Sequence, residues 1–84
     1  MYLAFSTYLP DHDTFIDHSF DIPATPFEAY NIIRNAYLRD MFYSPCKELH
    51  DDDMKNIFIY HPKTGLRVWG IKTSDDLKHF LETC

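Results

Sequence analysis

Glycine is scarce. The chain holds two, Gly65 and Gly70, which excludes the glycine-rich backbone cradles of phosphate- and dinucleotide-binding loops. Basic side chains are missing from the whole leading stretch, since no lysine or arginine precedes Arg34. Nucleic-acid binders show the reverse, a basic stripe that displaces counterions from phosphate. Cysteine occurs twice, at Cys46 and Cys84, too few for the disulfide framework that staples small secreted domains. The amino end, Met1-Tyr2-Leu3-Ala4-Phe5, carries no basic region and no long apolar stretch. No secretory leader is therefore expected, and a reducing cytoplasm is the expected compartment. No apolar run nears the ~20 residues of a membrane-spanning helix, so no membrane contact is expected.

What is present reads as one domain over residues 1–84. The apolar share is 45% and the charged share 25%, a globular balance rather than a disordered one. The net charge is −5, and its origin is local. Asp11, Asp13, Asp17, Asp21 and Glu28 stand alone in the first third, whereas acidic and basic residues cancel from Arg34 onward. An acidic surface of this kind favours a basic partner and repels phosphate.

Periodicity divides the chain. Tyr2 to Leu9 alternates, with Leu3, Phe5, Thr7 and Leu9 on one face, which predicts a strand. Pro10-Asp11-His12-Asp13 is turn chemistry. Thr14 to Ile22 alternates again, with Ile16, His18, Phe20 and Ile22 opposite Asp17, Ser19 and Asp21. The pair predicts an antiparallel hairpin with one wet, acidic face. Thr25-Pro26-Phe27-Glu28 is a helix start of capping-box form. Phe27, Tyr30, Ile33, Tyr37 and Met41, with Leu38 beside them, then form one apolar stripe. Ser44-Pro45 is expected to open a short helical turn through Leu49. The like charges of Asp51, Asp52 and Asp53 are expected to hold a solvated loop. Asn56 to Tyr60 and Leu66 to Ile71 read as strands around His61-Pro62-Lys63-Thr64-Gly65, where glycine supplies a positive φ. Thr73 or Ser74 caps a last helix that buries Leu77, Phe80 and Leu81. The expected fold is α+β: two ββα units forming a four-stranded antiparallel sheet with two helices on one face, with a radius of gyration of about 12 Å.

Candidate chemistry is thin. Cys46 and His50 share a helical face at i, i+4 and would suit zinc, but two further ligands are missing from the local sequence. Asp51-Asp52-Asp53 lacks the alternation and glycine of a calcium loop. A small metal-dependent enzyme using His50 and the neighbouring aspartates is kept as an alternative, although no cofactor, metal or catalytic residue is assigned. Asp11-His12-Asp13-Thr14 has a spacing one residue short of a phosphotransfer aspartate motif and reads as a charged turn. His18, on the apolar side of its strand, reads as a satisfied interior or edge histidine. Trp69 shares a face with Arg67, and Trp, Tyr and Arg are the residue types that anchor interfaces. The same pair would also stack on a base.

The economical reading is a non-catalytic acidic module that occupies a basic surface of a partner protein, as inhibitors, immunity proteins and phage anti-defence proteins do. A partner that handles nucleic acid would present such a surface. Asp11, Asp13, Asp17 and Asp21 would steer the encounter, while Tyr8, Arg67 and Trp69 would hold the complex. Mimicry of nucleic-acid phosphates by the acidic hairpin is a stronger form of this reading. An RNA- or DNA-contacting module built on the Trp69 hairpin is the other alternative. A free sheet edge would also allow two copies to pair.

Overall fold

A computed structural model describes residues 2–45 and 47–82 of the chain. Strands β1 (Tyr2–Leu9) and β2 (Thr14–Asp21) lead into helix α1 (Pro26–Asp40). A short helix α2 (Asp51–Met54), strands β3 (Ile57–Tyr60) and β4 (Arg67–Trp69) and helix α3 (Ser74–Glu82) follow. The four strands form one antiparallel sheet in the order β2-β1-β3-β4. The two hairpins meet at its centre, where Ala4 to Thr7 of β1 pair with Tyr60 to Ile57 of β3. This is the α+β arrangement that the two ββα units imply, and the Cα radius of gyration is 12.0 Å.

The period-2 pattern decides which face is covered. Leu3 and Phe5 of β1 and Ile57 and Ile59 of β3 point to the helices and are buried. They meet Ala29, Ile33, Ala36 and Tyr37 of α1 and Leu77 of α3 in one core. Burial of this apolar area supplies the main driving force. Tyr30 reaches from α1 to donate to the Lys72 carbonyl at 2.7 Å, which ties α1 to the start of α3. At the other end of α1, Asp40 Oδ2 accepts from Thr7 Oγ1 at 2.7 Å and lies 2.7 Å from His18 Nε2. One carboxylate thus latches β1, β2 and α1 together. His18 also stacks on Phe5 at 4.8 Å, so it is the satisfied histidine that its strand position predicts.

Helix starts follow the expected chemistry. Thr25 accepts from the Glu28 amide at 3.3 Å, with Pro26 in the first turn. Thr73 accepts from the Asp76 amide at 3.1 Å. The second hairpin turns at Gly65, whose φ is +73°. Inside it His61 is buried, and its Nδ1 accepts from the Lys63 and Thr64 amides at 3.1 and 3.4 Å. Its proton therefore sits on Nε2, which has no hydrogen-bond partner among the described residues and instead belongs to a ring in T-shaped contact with Phe80 at 5.2 Å.

Four local expectations need correction. Phe27 lies off the core, 64% exposed. It sits in the first turn, and the helix packs instead through Ala29 and Ala36, whose small side chains allow close approach. Ser44 to Leu49 forms no helix among its described residues; Pro45 closes a turn in which Lys47 N donates to Ser44 O at 3.0 Å. Asp51-Asp52-Asp53 is a helical turn and not a loop. Acidic side chains in a first turn are favoured by the unpaired amides there, which outweighs their mutual repulsion. Asp53 also turns back to accept from the His50 amide at 3.0 Å. Finally, β4 covers only Arg67–Trp69, shorter than the Leu66 to Ile71 run.

Candidate functional site: the open face of the sheet

The helices cover one face, so the other carries whatever the alternate residues supply. The strand register sets these out in rows. Asp17, Ser6, Phe58 and Trp69 form one row across the four strands, and Ser19, Ala4, Tyr60 and Arg67 form the next. Phe15 and Tyr8 begin a third row, Asp21 and Tyr2 a fourth. At the usual strand spacing, Asp17 and Trp69 stand about 14 Å apart on opposite margins of the face.

Two features result. One is an aromatic ridge. Phe15 lies 4.8 Å from Tyr8 and 5.7 Å from Phe58, and the Arg67 guanidinium sits 5.2 Å from the Phe58 ring. Phe15 and Trp69 remain 52% and 59% exposed. The other is a shallow depression of about 420 Å³ floored by Ala4 and Ser6, with Asp17, Ser19 and Tyr60 around it. Small residues in the middle strand create this hollow between taller neighbours.

The electrostatics are one-sided. Among the described residues, Asp11, Asp13 and Asp17 form no ion pair with any lysine or arginine. Asp17 accepts from Ser6 Oγ at 2.6 Å and Asp13 accepts from Tyr8 Oη at 2.6 Å. These are neutral donors, so the charges remain directed outward. The bond to Asp13, with burial and the carboxylate's charge adding to it, pushes the Tyr8 phenol above its ordinary value. Asp13 adopts a φ of +48° at the tip of the hairpin, a region that aspartate enters more readily than most residues. The aspartates of α2 differ. Asp51 meets Lys72 at 3.0 Å, Asp52 meets Lys55 at 3.7 Å and Asp53 meets Lys47 at 3.8 Å. Each faces a different lysine.

The sequence-selected residues therefore fall in three places. Tyr8, Asp17, Arg67 and Trp69 share the open face, Asp21 lies at its end, and Asp11 and Asp13 occupy the adjoining hairpin loop. His50 is the residue before α2 and belongs to none of the four strands. Cys46 and Cys84 lie outside the described residues, so the zinc reading has no geometry to report. No group of three or more metal-ligating side chains converges among the described residues.

Sequence reasoning passed over Phe15, Phe58 and Tyr60. Their signal was present: Phe58 and Tyr60 alternate with the core residues Ile57 and Ile59, and Phe15 alternates with Ile16 on the side of its strand that carries Asp17 and Ser19. It also passed over Phe42, which is 91% exposed with a φ of +58°. Only the geometry of the helix end reveals that residue.

Comparisons with known proteins add little chemistry. A stretch of 48 residues, 57% of this chain, is 33% identical to Protein csx2 of Schizosaccharomyces pombe, and the match covers 6% of that protein's length. No family model matches the chain. No solved structure matches it.

Proposed function

We propose that the protein is a non-catalytic binding module that docks the open face of its sheet on a basic surface of a partner protein, in the manner of an inhibitor or anti-defence protein. One observation carries this reading: an aromatic ridge left uncovered by the helices lies beside carboxylates that have no cationic partner within the described chain. Aromatic and arginine side chains supply affinity at the centre of an interface, while unneutralised charge at its margin steers encounter. A partner that itself handles nucleic acid would offer a suitable basic surface.

Single-stranded nucleic acid is the second reading, favoured by the exposed Trp69 beside Arg67. Asp17 in the same row works against it, because it repels phosphate. The test is affinity capture from the native host with the wild-type protein and Trp69→Ala, followed by mass spectrometry. A protein that the wild type retains and the variant loses supports the first reading. Identical captures overturn it, and retention of an oligonucleotide at low salt favours the second.

A further inference from the structure

The outer edge of β2 offers a different kind of site. Tyr8 N donates to Asn56 O at 2.8 Å, so the even-numbered residues of β1 turn their backbone groups to β3 and the odd-numbered ones to β2. Their partners on β2 are Thr14, Ile16, His18 and Phe20. The intervening Phe15, Asp17 and Ser19 must then direct N–H and C=O away from the sheet. Among the described residues no strand lies beyond β2 in the strand order. The strand runs unbroken over eight residues with no proline, lysine or bulge, so the usual devices that blunt an edge are limited to its aspartates.

The two sides of this edge differ in charge. On the open face Asp17 lacks a cation among the described residues. On the helix side α1 packs chiefly on β1 and α3, which leaves a groove of about 300 Å³ between β2 and α1. Ile32, Asn35, Ala36 and Arg39 line its helix wall. Their spacing of 3, 1 and 3 residues places them on one helix face. Arg39 is exposed, and no described side chain pairs with its guanidinium.

We propose that the β2 edge takes an extended segment of a partner protein as a further strand. That segment alternates basic side chains over Asp17 with apolar or acidic side chains in the α1 groove, the acidic one meeting Arg39. Main-chain bonds to an exposed edge give affinity, and alternate side chains give register and specificity. A second copy of this chain fits less well, because it would bring the Asp17 charges of both chains onto one face. The inference deepens the reading above, since Asp17 serves both, but its site is the edge rather than the aromatic ridge.

The probe is the synthetic peptide Lys-Val-Lys-Glu-Lys-Val-Lys, used at about 1 mM with the full chain, and the readout is amide hydrogen exchange by NMR. The amides of Phe15, Asp17 and Ser19 should slow by about tenfold or more, while those of Ile16 and His18 change little. Ser19→Pro removes an outward N–H without touching the ladder to β1 and should abolish the effect. Arg39→Glu and the charge-swapped peptide should each weaken it by about tenfold. N-methylation of the peptide's inner amides, which leaves the protein unaltered, should abolish it as well. No slowing at the three amides overturns the proposal, and so does equal slowing by the N-methylated peptide. Slowing that rises with protein concentration in the absence of peptide makes a second copy the occupant and overturns it too. Loss of the effect in Trp69→Ala places the peptide on the ridge, overturning the edge assignment while sparing the open-face reading. Edge protection together with unchanged host capture by Trp69→Ala leaves the edge standing and removes the ridge.

Discussion

Phe42 occupies a position that ordinarily calls for glycine. After α1 the Phe42 amide donates to Arg39 O at 3.1 Å and the Tyr43 amide donates to Leu38 O at 2.8 Å. These two bonds define a Schellman ending, in which the residue after the cap is left-handed. A β-carbon in that conformation costs about 1–2 kcal/mol, and Phe42 recovers little of it because its ring is 91% exposed. Phe42→Gly should therefore raise stability by about 1 kcal/mol, seen as a higher urea midpoint with an unchanged slope. Tyr37 poses the opposite case, a polar group deep in the core. Burial pushes its phenol up to about 12; a hydrogen bond from Asn56 opposes the shift, and Asp53 reinforces it. The unfolded chain ionises near the ordinary value of 10.0. The stabilisation is thus complete below that pH and is lost as pH climbs from 10.0 to about 12. Unfolding free energies from urea melts at about pH 9 and about pH 11 should differ by roughly 1.3 kcal/mol, and Tyr37→Phe should flatten the difference.

Among the elements, α2 shows how three identical side chains take unequal parts. Asp53 is desolvated, which alone would raise its pKa. The His50 amide, the Tyr37 hydroxyl and Lys47 outweigh that and hold the carboxyl below its ordinary value. Its contribution is present above the ordinary carboxylate range and fades as pH falls through its lowered value. Asp53→Ala removes a cap and an acceptor for Tyr37 at 3.1 Å and should cost about 1–2 kcal/mol in thermal or urea unfolding. Asp52, 97% exposed beside Lys55, should leave the midpoint unmoved when changed to alanine. The contrast explains why this element escaped the sequence. Like-charge repulsion is visible in Asp51-Asp52-Asp53, whereas the His50 amide and the partners Lys47, Lys55 and Lys72 that offset it are brought to the three carboxylates only when the chain folds. β1, β2, β3 and the last helix were legible because alternation and capping are local. The length of β4 was not, since it depends on where β3 stops pairing. The open face was half legible: alternation assigned Tyr8, Asp17 and Trp69 their side, but only the register Asp17–Ser6–Phe58–Trp69 showed them sharing one row.

For the whole molecule the uneven charge is sharper in three dimensions than along the chain. Asp40, Asp51, Asp52 and Asp53 are each matched by a cationic group or by His18. Asp11, Asp13 and Asp17 are not matched among the described residues. Neutralising the latter three to asparagine should slow association with a basic partner by about tenfold at low salt and flatten its salt dependence. Trp69→Ala should act instead on dissociation. Stopped-flow or surface-binding kinetics separate the two effects, and an unchanged on-rate in the asparagine variant removes the steering role. No described helix is long and apolar enough to cross a membrane.

The short pairing of β1 with β3 has a further consequence, for how the chain reaches this shape. Each hairpin can close over a few intervening residues, but Phe5 must find Ile59 across most of the polypeptide. Closing so wide a loop is the entropically costly event, and it is rewarded only when the core from both halves comes together. Shortening Ile59 to alanine should therefore retard refolding, whereas Ile16→Ala, away from that junction, should chiefly hasten unfolding. The contact in place at the barrier would then be the one that turns two marginal halves into one sheet.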